Sequence, residues 1–162
     1  PTSSEKFVEM VEEEISQHDA TELKLDKVAD VIEVLKRVRV AGTSEYHKSE
    51  LKLFEDLAES LFELRLGKFV DGRTVKGFDR ELYEVLNRAK DVFVSVLTGG
   101  LAGNTEKGLY AVRSPVFFND HLLKPGDLIV SGLDNVLNAV IAGYIDIAKI
   151  ERVGEDESSK SD

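Results

Sequence analysis

Residues 79–118 read DRELYEVLNRAKDVFVSVLTGGLAGNTEKGLYAVRSPVFF, and the spacing of apolar positions changes partway through them. From Leu82 the apolar residues return at helical intervals, as Val85, Leu86, Ala89, Val92, Phe93 and Val96, until Gly99 and Gly100 end the pattern. Gly99 to Gly108 then holds four glycines in ten residues, the composition of a flexible connection. Beyond it Leu109 to Phe118 is rich in β-formers, so strand structure follows. A helix, a connection and a strand in that order predict an α+β protein, with an N-terminal all-α helical bundle and a small C-terminal β-rich domain.

Upstream of this switch the pattern is helical. Thr2 followed by Glu5 is a capping box, in which each side chain accepts from the other's backbone amide, and Val8, Val11 and Ile15 then face a core. Asp19 and Glu22 repeat that spacing ahead of Val28, Val31, Ile32, Leu35 and Val38, a second helix broken at Gly42. A third helix from Glu45 to Phe69 carries Leu51, Phe54, Ala58, Leu61 and Phe62 on one stripe, with Leu53, Leu57 and Leu64 beside it. A helix packed on one side needs an apolar stripe of roughly 100°. The wider arc here implies burial on two sides, by its own domain and by another subunit. Residues 71–78 form a turn, and Asp79 takes the N-cap position of the fourth helix, with Phe78 and Tyr83 as a hydrophobic staple.

Downstream, Pro125-Gly126 fits the centre of a type II turn and Leu128 to Val130 a short strand. Asp134 to Ala142 reads as a short helix closed by Gly143, and Tyr144 to Ile150 as a final strand with Ile145 and Ile147 on one face. A last strand of this kind either closes its own sheet or, at a sheet edge, accepts a partner strand through its unpaired backbone groups. The domains expected are a helical one over 1–98, a flexible linker over 99–108, a β-rich one over 109–152 and a disordered polar tail over 153–162.

Composition narrows the function. At 42% hydrophobic and 32% charged the chain is of globular type, and a net charge of -10 argues against a uniformly basic face for duplex DNA. Work near DNA is therefore expected to run through protein partners. The absence of cysteine excludes a disulfide framework, a thiolate zinc site and a cysteine nucleophile. No apolar run approaches the roughly 20 residues that span a bilayer, so the expected place is inside the cell, away from membranes.

Candidate chemistry is sparse. His18, His47 and His121 stand far apart, the first two at polar helix ends and the third in a loop, so no metal site is expected. Glu12, Glu13 and Glu14 are consecutive on a helix, point in different directions and read as a solvated face. The glycine-rich segment lacks the Gly-Lys-Ser/Thr ending of a phosphate loop, and Ser131 before Gly132 lacks the preceding Gly-x of a nucleophile elbow. Lys36, Arg37 and Arg39 form the one dense basic cluster, suited to the C-terminal end of the second helix or to weak contact with nucleic acid or an acidic partner.

A helical domain ending in Leu61-Phe62-Glu63-Leu64-Arg65-Leu66-Gly67-Lys68, then Leu82-Tyr83-Glu84-Val85-Leu86-Asn87-Arg88, a linker and a β-rich end resemble the layout of GINS complex subunits. The C-terminal stretch is similar to that family's B domain, with Val112-Arg113 opening a strand, Lys124 to Val130 as turn and strand, and Ala139 to Gly143 leading into the last strand. Asn119 to Leu123 departs from the family pattern, so no contact is carried over to that loop. The helical-first order matches the archaeal class. The resemblance implies a non-catalytic, cofactor-free subunit that builds a tetramer with a sister GINS subunit and links the MCM helicase to a Cdc45/RecJ-like protein, in the cytoplasm near the nucleoid or in a eukaryotic nucleus. It implies subunit contacts on the third helix at Phe54, Leu57, Leu61, Leu64, Leu66 and Phe69, and on the fourth at Leu82, Tyr83, Leu86 and Phe93. It implies partner docking at Tyr144, Ile145, Asp146, Ile147, Lys149 and Ile150, with DNA contact at most indirect or weak. Two other classes fit the residues: a carboxylate-dependent hydrolase whose acids converge on folding, and a free-standing helical regulator that binds a peptide or small ligand.

Overall fold

The computed structural model describes residues 2–41 and 44–153. Gly42 and the tail from Gly154 onward lie outside the described residues. Helices come first and strands last, so the protein is α+β: α1 (Ser3–Ser16), a 3-10 turn (Leu25–Val28), α2 (Ala29–Ala41), α3 (Glu45–Val70), α4 (Arg80–Leu97), β1 (Gly108–Val112), β2 (Val116–Phe118), β3 (His121–Leu123), β4 (Leu128–Ser131), α5 (Leu133–Ala142) and β5 (Ile145–Ile147). The chain divides into two compact units, Pro1–Tyr83 and Glu84–Asp162.

In the first unit, α1 opens on the expected capping box: Glu5 N–H donates to Thr2 Oγ1 at 3.3 Å and Thr2 N–H donates to Glu5 Oε2 at 2.9 Å. Its inward face is rotated from the expected one. Phe7, Met10 and Val11 are half-buried and Glu14 fully buried, while Val8 and Ile15 are exposed. Phe7 sets its ring edge against Phe54 of α3, with centroids 5.3 Å apart. Asp19 and Glu22 do not start a helix; the second one begins after Lys24, and Val28, Val31, Ile32, Leu35 and Val38 take its inner side as expected.

The stretch replacing the expected helix start runs beside the turn after α3. Ala20 N–H donates to Thr74 O at 3.2 Å, Leu23 N–H to Lys76 O at 3.4 Å and Phe78 N–H to Leu23 O at 2.9 Å. Gly77 makes this approach possible. Its φ is +130°, and a Cβ there would stand 2.5 Å from the Leu23 carbonyl oxygen, so no other residue type fits without displacing backbone.

The second unit is a three-stranded antiparallel sheet in the order β4-β1-β5, with β2 and β3 as a separate hairpin. Val112 closes β1, paired with Ile145, and does not open a strand. The segment around His121, expected as a loop, is β3: Asn119 and Asp120 take positive φ values of 49° and 62° and turn the chain in two residues, pairing Phe118 with His121. The Pro125-Gly126 turn forms, with Asp127 N–H donating to Lys124 O at 3.0 Å. Val92, Leu101, Tyr110, Val136, Val140 and Ile145 make the buried core.

Residues 99–108 differ from the free connection expected of their glycines. Leu101 belongs to that core, Ala102 N–H donates to Ala148 O at 2.9 Å, Ile150 N–H donates to Gly100 O at 2.9 Å, and Gly103 bridges Gly108. The physical reason is local: a side chain on Gly103 would reach 2.2 Å from the Lys107 carbonyl oxygen, so the glycine serves a close backbone contact rather than looseness. The division between compact units accordingly falls inside α4, between Tyr83 and Glu84.

Candidate functional site

The first unit has a charged interior. Arg65 and Lys68 lie on the same face of α3 as Phe54 and Leu61, and all four are buried. The Arg65 guanidinium spends all five of its N–H groups. Nε and Nη2 grip Asp79 as a fork, at 2.6 Å to Oδ2 and 2.7 Å to Oδ1; Nη1 donates to Glu14 Oε1 at 2.7 Å and to Thr21 O at 2.7 Å; Nη2 also donates to Lys76 O at 2.9 Å. Lys68 Nζ donates to Glu14 Oε2 at 2.8 Å, to the Glu14 carbonyl and to Asp19 O at 3.1 Å. Thr21 N–H completes the Glu14 carboxylate at 2.8 Å.

Two cations thus neutralise two carboxylates, and Glu14, expected on a solvated face, is 0% exposed. Asp79 directly precedes α4, the N-cap position expected of it, and its carboxylate is engaged by Arg65. These are the two acids that folding brings together, and each is saturated by donors from within the unit. That is the arrangement of a structural staple joining α1, the 17–24 stretch, α3 and the 73–79 turn.

Burial alone would raise the Glu14 carboxyl, but hydrogen bonds from Lys68, the Thr21 amide and Arg65 outweigh it and hold the group below its usual 4.5. Burial opposes, and the Arg65 fork outweighs it, in holding Asp79 below its usual 3.8. Burial and then the Asp79 carboxylate push the Tyr83 hydroxyl up; that hydroxyl feels the charge without meeting the geometry of a hydrogen bond. For a lowered carboxyl the stabilisation is present above the unfolded value and is lost as pH falls through the folded one. Folding stability is therefore expected to drop on acidification below about pH 4.5, the side on which the unfolded chain binds more protons. Arg65 is held up and stays charged throughout. Glu14→Gln should flatten that acid limb in denaturation curves recorded between neutral and low pH. Parallel limbs for the two proteins would rule out Glu14 as a source.

On this staple sits an apolar groove of about 220 Å³, floored by Val28, Leu61 and Tyr83 and walled by Leu25, Phe62, Phe78 and Leu82. The four wall residues are exposed. Beside it, sharing Leu25 and Phe78, a shallower depression is lined by Lys24, Lys76, Arg80 and Glu22. Nothing in the apolar spacing of α3 and α4 marks Leu25 or Phe78 as surface features. The signals in that region were the turn before Asp79 and the pairing of Phe78 with Tyr83 as a hydrophobic staple.

The residues singled out for subunit contact are dispersed by depth. Phe54, Leu61 and Tyr83 are buried in the unit's interior; Leu57, Leu64, Leu66 and Phe69 are half-buried; Leu82, Leu86 and Phe93 are exposed. Within the second unit Leu86 and Phe93 share one side of α4 with exposed Leu97, while Val92 and Ser95 turn inward. Phe93 is 66% exposed.

Among the residues singled out for docking, Ile145 is fully buried and Ile147 packs against the core, whereas Tyr144, Asp146, Lys149 and Ile150 are exposed. Asp146 lies 3.9 Å from Arg113, and Lys149 pairs with Asp91 at 2.7 Å. β5 pairs with β1 alone and so stands at one edge of its sheet.

Of the basic cluster, Lys36 pairs with Glu33 at 3.3 Å, Arg39 with Glu55 at 3.1 Å, and Arg37 donates to the Glu33 carbonyl at 3.3 Å. Acids of the same unit thus offset the field that a phosphate would need. Among the described residues no three His, Asp or Glu side chains gather as a metal site, and no helix is long and apolar enough to cross a membrane.

Residues 7–79 match the family described as GINS complex Gins15 subunit N-terminal domain. The matched span contains α2, α3, most of α1 and the turn ending at Asp79, and with them every member of the charged staple. No curated protein matches the chain.

Proposed function

We propose that this chain, whose residues 7–79 match the GINS complex Gins15 subunit N-terminal domain and are followed by a strand-rich part, is a GINS subunit that works as a non-catalytic scaffold in DNA replication, joining a sister GINS subunit and linking the MCM helicase to a Cdc45/RecJ-like protein. The family match carries this reading. The chain would assemble through the exposed side of α4 in its second unit, where Leu86 and Phe93 present apolar surface that a lone chain leaves in water. Its β-rich part would dock the second partner at the open edge of β5, with Tyr144 and Ile150 as exposed contacts and backbone groups supplying the pairing.

Co-expression with the sister subunit, followed by native mass measurement, tests assembly. A stable hetero-oligomer is expected. Phe93→Asp, at an exposed position, should leave the fold intact by circular dichroism while weakening assembly by about 30-fold or more, the effect of losing a contact worth about 2 kcal/mol. Recovery of the bare monomer from the wild-type co-expression would sink the proposal. Capture of recombinant MCM and of the RecJ-like protein by the assembled complex, lost for the latter on Tyr144→Asp with Ile150→Asp, tests the linking role.

A further inference from the structure

The walls of the groove in the first unit are held in place before anything binds there. Leu25 follows the stretch whose Leu23 pairs with Lys76 and Phe78, and Arg65 donates to the carbonyls of both Thr21 and Lys76. The charged staple therefore fixes the spacing between the Leu25 wall and the Phe78 wall, and a ligand entering between them does not have to order either.

The charges beside the groove run against the rest of the chain. The protein carries -10 in total, yet the adjoining depression is lined by Lys24 and Lys76, and by Arg80 with a partner of its own, against one anion, Glu22. Lys24 lies 3.8 Å from Glu22, so one cation is partly offset. Lys76 is exposed and pairs with no acid among the described residues. An apolar slot bordered on one side by a locally positive rim, on an acidic protein, selects by sign as well as by oiliness.

We propose that this groove receives a short segment of a partner protein in which large apolar side chains stand next to carboxylates. An apolar anchor fills the slot between Leu25, Phe62, Phe78 and Leu82, and an acidic neighbour crosses the Leu25–Phe78 ridge to meet Lys24 and Lys76. A basic segment is repelled at the rim. A nucleic acid strand also gains at the rim and has bases that stack on aromatic rings, so competition with single-stranded DNA is the arm of the test that separates it from a peptide. Leu82, one wall of the groove, also lies on α4 and is among the residues that the GINS resemblance implies for subunit contact, so the measurement in the assembled complex distinguishes this reading from subunit assembly.

The full chain is titrated with a fluorescein-labelled synthetic peptide that carries Leu and Phe at i and i+4 flanked by Glu, and with a copy in which every Glu is Lys. The acidic peptide is expected to bind, and the lysine copy at least about tenfold more weakly, with the difference shrinking as salt is raised. Phe78→Ala and Leu25→Ala, both at exposed positions, should each weaken the acidic peptide about tenfold. Lys24→Glu combined with Lys76→Glu should reverse the preference between the two peptides, a result that general loss of fold cannot produce. Binding should persist when the chain is in the co-expressed complex. Equal affinity for the two peptides, indifference to Phe78→Ala, displacement by single-stranded DNA, or loss of the site through self-association or on assembly with the sister subunit would each overturn the proposal.

Discussion

Replacing Arg65 with alanine is expected to cost the protein about 3–5 kcal/mol of folding stability, the loss typical when one partner is removed from a buried ion pair and the other is left uncompensated. The size follows from what is stranded. Glu14 and Asp79 are buried, and both depend on this guanidinium, as do the carbonyls of Thr21 and Lys76. A domain's whole stability is of the order of 5–15 kcal/mol, so this one change would leave the first unit marginal. Arg65→Lys keeps the charge but cannot form the fork with Asp79, and should fall between wild type and alanine. The exposed pair of Lys52 and Asp56, 3.0 Å apart, is the internal contrast: Lys52→Ala should shift stability by no more than about 1 kcal/mol. Urea denaturation followed by circular dichroism measures all three. Equal effects for Arg65→Ala and Lys52→Ala would show that the buried cluster contributes nothing beyond a surface bridge.

Ile145→Ala should be the most damaging of the changes in the final strand, at about 2–5 kcal/mol for the lost burial and the cavity left behind. Ile145 is 0% exposed and lies in the core with Val92, Leu101, Tyr110, Val136 and Val140. Asp146 and Tyr144, its immediate neighbours, point outward, and substitutions there should stay within about 0.5 kcal/mol. Hydrogen exchange read on β1 and α5 would separate the cases, since only Ile145→Ala should open that core. A loss of partner docking caused by Ile145→Ala would consequently report on folding. If Ile145→Ala proved as mild as Tyr144→Ala, the assignment of Ile145 to the core would fail.

The alternation of core and surface along β5 shows how far pattern reading reached in the second unit. Ile145 and Ile147 were expected on one face, and they are. That this face looks into the core, rather than toward a partner, depended on the sheet order β4-β1-β5 and on α5 packing behind it. The capping box at Thr2, the inner side of α2 and the turn at Pro125-Gly126 were all legible, because each is decided by residues within a few positions of one another.

Glu14, Arg65 and Lys68 were not legible in that way. A wheel that scores only apolar residues assigns charged side chains to water, and the cost of burying any one of these three alone would justify it. Their partners lie 51 and 54 residues apart in the chain, so the compensation exists only once α1 and α3 meet. The available signal was that Phe54, Leu61, Arg65 and Lys68 recur on one helical stripe, two cations in line with two core positions. For the same reason α1 turned Glu14 inward and left Val8 and Ile15 outside.

The α+β order, the element types and the capping and turn chemistry were decided by the chain's local pattern, since short-range hydrogen bonds and periodic burial are written into neighbouring residues. Which helix faces are core, which are open, and where Leu25, Phe78, Lys24 and Lys76 converge were decided by tertiary packing. A charge buried beside its counter-charge, and a groove between segments some 50 residues apart along the chain, are properties of pairs that sequence distance hides and that only the folded contacts bring together.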